Sequence, residues 1–391
     1  MNNVIALQHY NENSTVSGIL SPAEQAGSAS EATLSTDLTV RYVDGPEFDR
    51  LAARYDDVVS EQTSRFVESR WGASRTERIV VKRGNKEIAV AALVVFLIPG
   101  TGRGLAIAKW GPLWRQKGQT LDVTRLRGAL QALTFEYVDQ RGLFLSVQPH
   151  AEPEFADASV EALKGLGFTE GSSLPYPDRY LVDVSVSPEE LKSSFDQKWR
   201  YNLNKSLKND LEIKIVEAEA GYDEFMQLYE QMLDRKQFQD SSAIATLADL
   251  VHAEEPEHRP VFVMVYADGR PTAGAVLGVA GERAVYLYGA TDERALRLKA
   301  GYAMHGWIAD WLCGLPGVRW YDLGGTDGDQ GLHQFKKGFC GKLGHIVTTP
   351  PSYRRSRTAV DNILMRTIYM AHDLKAATSR TLHRAKSLLA A

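Results

Sequence analysis

The stretch VFVMVYADGRPTAGAVLGVAGERAVYLYG, residues 261–289, decides the fold. Its β-branched and aromatic residues predict three strands: Val261–Ala267, Thr272–Val279 and Ala284–Gly289. Asp268-Gly269 and Gly281-Glu282 supply the turns between them. A helix from Tyr302 to Cys313 and a strand Arg319–Leu323 follow. Antiparallel strands, then a helix, then one more strand describe an α/β (α+β) domain with a central mixed sheet.

Upstream, residues 38–178 repeat that order. Arg78–Lys82 and Glu87–Ile98 are strands joined at Gly84-Asn85, and Leu105–Trp110 is a third. The spacing of Leu126, Leu130, Leu133 and Tyr137 predicts a helix from Asp122 to Gln140. Gly142 stops it before the strand Leu143–Val147. Lys109-Trp110-Gly111-Pro112 occupies the place of Leu287-Tyr288-Gly289-Ala290, so the order of elements argues for two tandem domains. The second opens near Arg179, where Ser187 caps a helix with Pro188 in its first turn. The expected organisation is a tail at 1–37, domains at 38–178 and 179–350, and a basic segment at 351–391.

Residues 1–37 are rich in Ser, Ala, Asn and Glu and hold one aromatic, Tyr10, which predicts a disordered tail. From Thr358 onward the apolar spacing predicts a long amphipathic helix. Residues 351–391 carry eight Lys/Arg against Asp361 and Asp373, a composition that can sit on anionic lipid.

The 391 residues favour more than one core, and a net charge of −4 gives no global bias toward nucleic acid or membrane. Two cysteines, Cys313 and Cys340, make no disulfide framework and suit a reducing compartment. No HExxH, paired CxxC or histidine cluster appears, so no metal site is expected. Residues 1–40 lack Lys and Arg, and the longest apolar run, Ile88 to Ile98, is too short to span a bilayer. The expectation is a cytoplasmic protein, with peripheral contact at the inner membrane face through the C-terminal helix.

Several segments together resemble the FemABX family. These are Phe66–Ala73 (FVESRWGA) followed by Lys109-Trp110-Gly111-Pro112, the basic helix Lys198-Trp199-Arg200-Tyr201-Asn202-Leu203-Asn204-Lys205, then Tyr321-Asp322-Leu323-Gly324-Gly325 and Phe335-Lys336-Lys337-Gly338-Phe339. The likeness spans about residues 40–350. The second half also resembles the acetyltransferase-like domain of polysaccharide-locus proteins. The resemblance implies two GNAT-like domains and transfer of an amino acid from aminoacyl-tRNA to an amine of a peptidoglycan precursor. No sustained heptads appear between Glu189 and Glu255, so the coiled-coil arm of some members is not expected.

Such a reaction needs alignment and stabilisation of a developing oxyanion more than a dedicated triad. By resemblance, Lys336 lies near the transfer site, with Lys337 as its competitor in register. Asp322 ends a buried strand and is a candidate base, or else bonds the turn at Gly324 and Gly325. Arg200 and Lys205 are candidates for phosphate binding. Tyr286 and Tyr288 alternate with Leu287 and should share one face, where they reach substrate or pack the core. Trp71 and Trp110 are cleft candidates by resemblance, or packing aromatics.

No tightly bound cofactor is expected, and the donor is an aminoacyl-tRNA or an acyl-CoA. Leu298-Lys299-Ala300-Gly301-Tyr302-Ala303 is a degraded form of the [QR]-x-x-G-x-[GA] pattern by which acyl-CoA enzymes hold pyrophosphate, with leucine in first place. Three readings stand: aminoacyl transfer to a cell-envelope precursor, acyl-CoA-dependent N-acylation in polysaccharide or lipid modification, and a non-catalytic binding protein on the same fold.

Overall fold

The computed structural model describes residues 32–33, 37–236 and 242–358. The first sheet holds eight strands. In chain order they are β1 (Ala32–Thr33), β2 (Leu38–Tyr42), β3 (Thr76–Arg83), β4 (Lys86–Ile98), β5 (Arg103–Lys109), β6 (Phe144–Gln148) and β7 (Thr169–Glu170), with the eighth from the far end of the described chain. The second sheet holds seven: β8 (Asp178–Asp183), β9 (Leu211–Val216), β10 (Pro260–Ala267), β11 (Arg270–Ala280), β12 (Arg283–Thr291), β13 (Trp320–Asp322) and β14 (His345–Thr348). The eighth strand of the first sheet is β15 (Tyr353–Arg355), inserted between β6 and β7.

Each sheet is mixed, as expected. β5 runs parallel to β6 over Leu105–Lys109, and β12 runs parallel to β13 over Arg283–Val285; among the described residues the other strand pairs are antiparallel. The helix Val123–Leu133, capped by Asp122, covers the first sheet through Leu126, Leu130 and Leu133. The helix Ala300–Cys313 covers the second through Met304, Ile308 and Leu312. These positions recur every three or four residues, so one stripe of each helix is buried against its sheet.

Two departures concern the ends. Ala32 and Thr33, placed in the tail by composition, pair with Val40 and Thr39 on the sheet edge. Tyr353–Arg355, placed at the head of the basic C-terminal segment, is a strand that donates Tyr353 to the core of the first domain. The rest of the tail and the predicted helix beyond Thr358 lie outside the described residues.

The domains interlock through the β11–β12 hairpin. Its turn residue Gly281 has φ of 61°, and a Cβ there would lie 2.3 Å from the Asp56 carbonyl. Glu282 N donates to that same carbonyl at 2.8 Å. Only glycine permits this approach. One apolar cluster joins Val59 and Trp110 of the first domain to Phe225, Val285, Leu287 and Tyr288 of the second.

Candidate active site between the domains

β13 ends at Asp322, which is fully buried and accepts from three residues. Arg179 Nε lies 2.9 Å from Oδ2, Arg283 Nη1 lies 2.9 Å from Oδ2, and Gly324 N lies 2.8 Å from Oδ1. A second Arg179 nitrogen, Nη2, is also 2.9 Å from Oδ2. The two guanidinium groups outweigh the cost of burial and hold the carboxyl well below the usual carboxylate range. Both oxygens are committed to these bonds, so Asp322 orients two arginines and the glycine turn, and the geometry does not present it as a base.

The arginines carry the site across the domain boundary. Arg283 Nη2 reaches Glu152 Oε2 at 2.9 Å and donates to Ala151 O at 2.9 Å. Arg115 bonds Glu282 at 2.6 Å and approaches Glu152 at 3.4 Å, beside the buried Asp57. Asp57 takes the Trp114 N–H at 3.0 Å, and burial pushes its carboxyl up to about 7. The Arg179 guanidinium carbon sits 4.9 Å from the Trp110 ring centroid, Lys109 Nζ 4.3 Å and the His150 ring 4.6 Å. Trp110 is therefore a buried plate under converging cations. Burial drives Lys109 down, and its electrostatic neighbours are Glu61, Arg179 and Arg70. A cavity of about 40 Å³ lies beside this cluster, lined in part by Trp110, Trp114, Arg115, His150 and Glu152.

Lys336 sits on the helix Gln330–Cys340 and points inward, whereas Lys337 is exposed. Its Nζ donates to Leu323 O and Gly325 O, each at 2.6 Å, on the loop that leaves Asp322. Burial first, then the Arg179 charge, lowers its ammonium to about 8. Two of its three N–H groups are thereby accounted for. His305, from the neighbouring helix, is buried, contacts the Tyr321 hydroxyl at 2.8 Å, and is held neutral by burial and Lys336, at about 3.

The tyrosines do not share a face. Val276 pairs with Tyr288 but Leu277 pairs with Tyr286, so β12 carries an extra residue at Leu287. This bulge turns Tyr286 toward His305, ring centroids 5.0 Å apart, and sends Tyr288 into the interdomain cluster. Strict alternation overlooked the inserted residue. Burial raises the Tyr286 phenol to about 12.

The structure thus gathers Lys336, Asp322, Gly324, Gly325 and Trp110 at one place, with Tyr286 behind His305. Trp71 lies elsewhere on the first domain, edge-on to Phe96 at 5.9 Å. Arg200 donates to Phe195 O at 2.9 Å and also to Ser193 O, so it closes the end of the helix Pro188–Ser194. Lys205 is exposed. The sequence reading passed over Arg179, Arg283, Arg115, Glu152 and His150. A charged Arg283 opening an otherwise apolar strand was the one local signal available.

Residues 193–337 match the Acetyltransferase (GNAT) domain family, a segment that includes Asp322, Lys336, the bulged strand and the helix Ala300–Cys313. That segment is a GNAT acetyltransferase-type domain. The whole chain is similar in fold to the crystal structure of FemX, at 17% identity and a TM-score of 0.64, over 81% of this chain and 96% of that one. It is also similar to the C-terminal domain of a putative lysylphosphatidylglycerol synthetase from Agrobacterium fabrum, at 17% identity and a TM-score of 0.50, again over 81% and 96%. At these identities the likeness is one of fold, and it extends over both domains of the chain. A comparison of its sequence with curated proteins gives no match. Among the described residues no helix is long and apolar enough to cross a membrane.

Proposed function

We propose that the protein is an acyltransferase that moves an acyl or aminoacyl group onto an amine of a cell-envelope precursor, such as a peptidoglycan peptide, at the boundary between its domains. The observation that carries this reading is Lys336. A buried ammonium with an acidity near 8 is anchored on two loop carbonyls and retains one N–H for a ligand. As the acceptor amine attacks the donor carbonyl, negative charge develops on the carbonyl oxygen. Lys336 is suited to donate a hydrogen bond there, in a setting that is dry and already organised. Asp322 and Arg179 position the loop that holds it. Lys109 and Arg179, over Trp110, suit an anionic group on the acceptor. The structural neighbours named for FemX and for lysylphosphatidylglycerol synthesis support a cell-envelope acceptor.

For the donor, acyl-CoA is the reading favoured by geometry, with aminoacyl-tRNA as the alternative. Lys299 adopts φ of 56° and starts the helix Ala300–Cys313 without a side-chain cap. The Tyr302 N–H already bonds the Lys299 carbonyl at 3.0 Å, but a Cβ at Gly301 would meet nothing within 4 Å, so the backbone is open there. A pyrophosphate suits such a terminus.

Calorimetric titration with acetyl-CoA, charged tRNA and a nucleotide-linked muropeptide, followed by turnover assays, tests both parts. Lys336→Ala is expected to retain binding and lose turnover by about a hundredfold. Unchanged turnover in Lys336→Ala would refute the role given to the lysine. Binding of charged tRNA without CoA would replace the favoured donor with the alternative.

A further inference from the structure

Three of the most exposed large apolar side chains belong to neighbouring segments of the second domain: Tyr201 (64%), Leu207 (65%) and Leu296 (82%). Tyr201 lies on the helix Gln197–Ser206, Leu207 immediately follows it, and Leu296 lies on the short helix Ala295–Leu298. Asn209 Nδ2 donates to Leu298 O at 2.7 Å, which ties the two segments two residues beyond each leucine. The inner face of the longer helix is already occupied. Trp199 meets Tyr302 at 5.3 Å and stacks on Phe339 at 4.4 Å, and Leu203 lies against Gly306. Its outer side carries Tyr201 and Lys205, with Lys208 just beyond its end, and Arg297 and Lys299 follow Leu296. The acidic residues over 196–210 and 292–299 are Asp196, Asp210, Asp292 and Glu293, against Lys198, Arg200, Lys205, Lys208, Arg294, Arg297 and Lys299, so cations prevail.

Single exposed leucines are ordinary, but Leu207 and Leu296 lie on segments tied by the Asn209–Leu298 bond and stand among Lys208, Arg297 and Lys299, with Tyr201 and Lys205 on the adjoining side of the helix. We propose that this face docks the protein on an anionic lipid bilayer. The apolar tips enter the headgroup boundary, and the lysines and arginine meet lipid phosphates. Charge complementarity selects a bilayer over a second copy of the chain, because a symmetric pairing would set the same cations against one another. The whole protein has a net charge of −4, so attraction to an anionic surface requires a local patch of this kind. The inference does not draw on the segment beyond Thr358, and because the face adjoins the helix start proposed for the donor at Lys299, donor affinity is measured alongside lipid binding.

The experiment is co-sedimentation of the full-length chain with phosphatidylcholine vesicles, with and without about one third phosphatidylglycerol. Binding is expected only to the mixed vesicles and is expected to weaken with salt. Lys208→Ala and Arg297→Ala should each weaken it about fivefold. Leu207→Asp and Leu296→Asp should each weaken it about tenfold, with the melting temperature unchanged because both side chains are exposed. Binding to mixed vesicles that is indifferent to all four substitutions would overturn the proposal, as would equal binding to both vesicle types. Loss of CoA or charged-tRNA affinity in these variants with sedimentation intact would also overturn it, by assigning the face to the donor.

Discussion

Replacing Asp322 by Asn tests whether the buried ion network holds the site together. The substitution keeps the shape and removes the charge shared by Arg179 and Arg283. Arg283 retains Glu152 and the Ala151 carbonyl, so the loss falls mainly on Arg179, whose other close neighbour is the Trp110 ring. Removing one partner of a buried pair costs about 3–5 kcal/mol, because the remaining charge stays desolvated. With Arg283 still compensated, the lower end, about 3 kcal/mol, is expected. The exposed Arg319–Glu154 pair, at 2.6 Å, is the internal control, and Glu154→Gln should cost less than about 1 kcal/mol. Urea unfolding of both variants, with an Asp322→Asn/Arg179→Gln double-mutant cycle, measures the difference. The pH dependence has a definite sign. A carboxyl whose folded pKa is depressed stabilises the fold fully above the unfolded value of about 4, and loses that contribution as pH falls from there toward the folded value. The gap between wild type and Asp322→Asn should therefore stay flat from about pH 6 to 8 and close only in acid. A cost no larger than that of Glu154→Gln, or additive behaviour in the cycle, would refute the reasoning.

The remaining predictions concern other parts of the structure. Turnover should fall as pH rises through about 8, where Lys336 loses its proton, and Lys336→Ala should lose that limb of the profile. The folded pKa of Lys336 lies below its unfolded value near 10.5, so the wild type should gain stability relative to Lys336→Met as pH rises from about 8 toward 10, measured by denaturant midpoints. Gly281→Ala places a Cβ 2.3 Å from the Asp56 carbonyl at a positive φ, and should lower stability by more than about 1 kcal/mol while exposing the interdomain boundary to limited proteolysis. Arg200→Ala should cost about 1–2 kcal/mol by removing bonds to Ser193 O and Phe195 O, with acceptor affinity unchanged by calorimetry.

What the sequence revealed depended on how local the cause was. The strand pairs around Gly84-Asn85 and Gly281-Glu282 were legible, because turn chemistry and alternation act over a few residues. The helix over Leu126–Tyr137 was legible from its spacing, although its last turns, Thr134–Gln140, are of the wider π type. The bulge at Leu287 was not, since one inserted residue leaves no mark on composition yet reverses the faces of Tyr286 and Tyr288. The pairing of Asp322 with Arg179 and Arg283 spans 143 and 39 residues along the chain, and no local pattern encodes which acid a given arginine will meet. The resemblance singled out the Phe-Lys segment, but only the packed helix distinguishes buried Lys336 from exposed Lys337. β15 was hidden by its arginines, whose charge suggested a surface helix while Tyr353 filled a core position.

That last strand has a consequence for biosynthesis. β15 lies between β6 and β7, yet it is translated after the whole second domain. On the ribosome the first sheet must wait with a gap at this position, and β6 finds its neighbour only when residues 353–355 emerge. The first domain is therefore completed last, although it is made first. A stop after Pro350 should release a chain whose second domain is intact and whose first sheet is unfinished, which a cell would meet as a substrate for proteolysis.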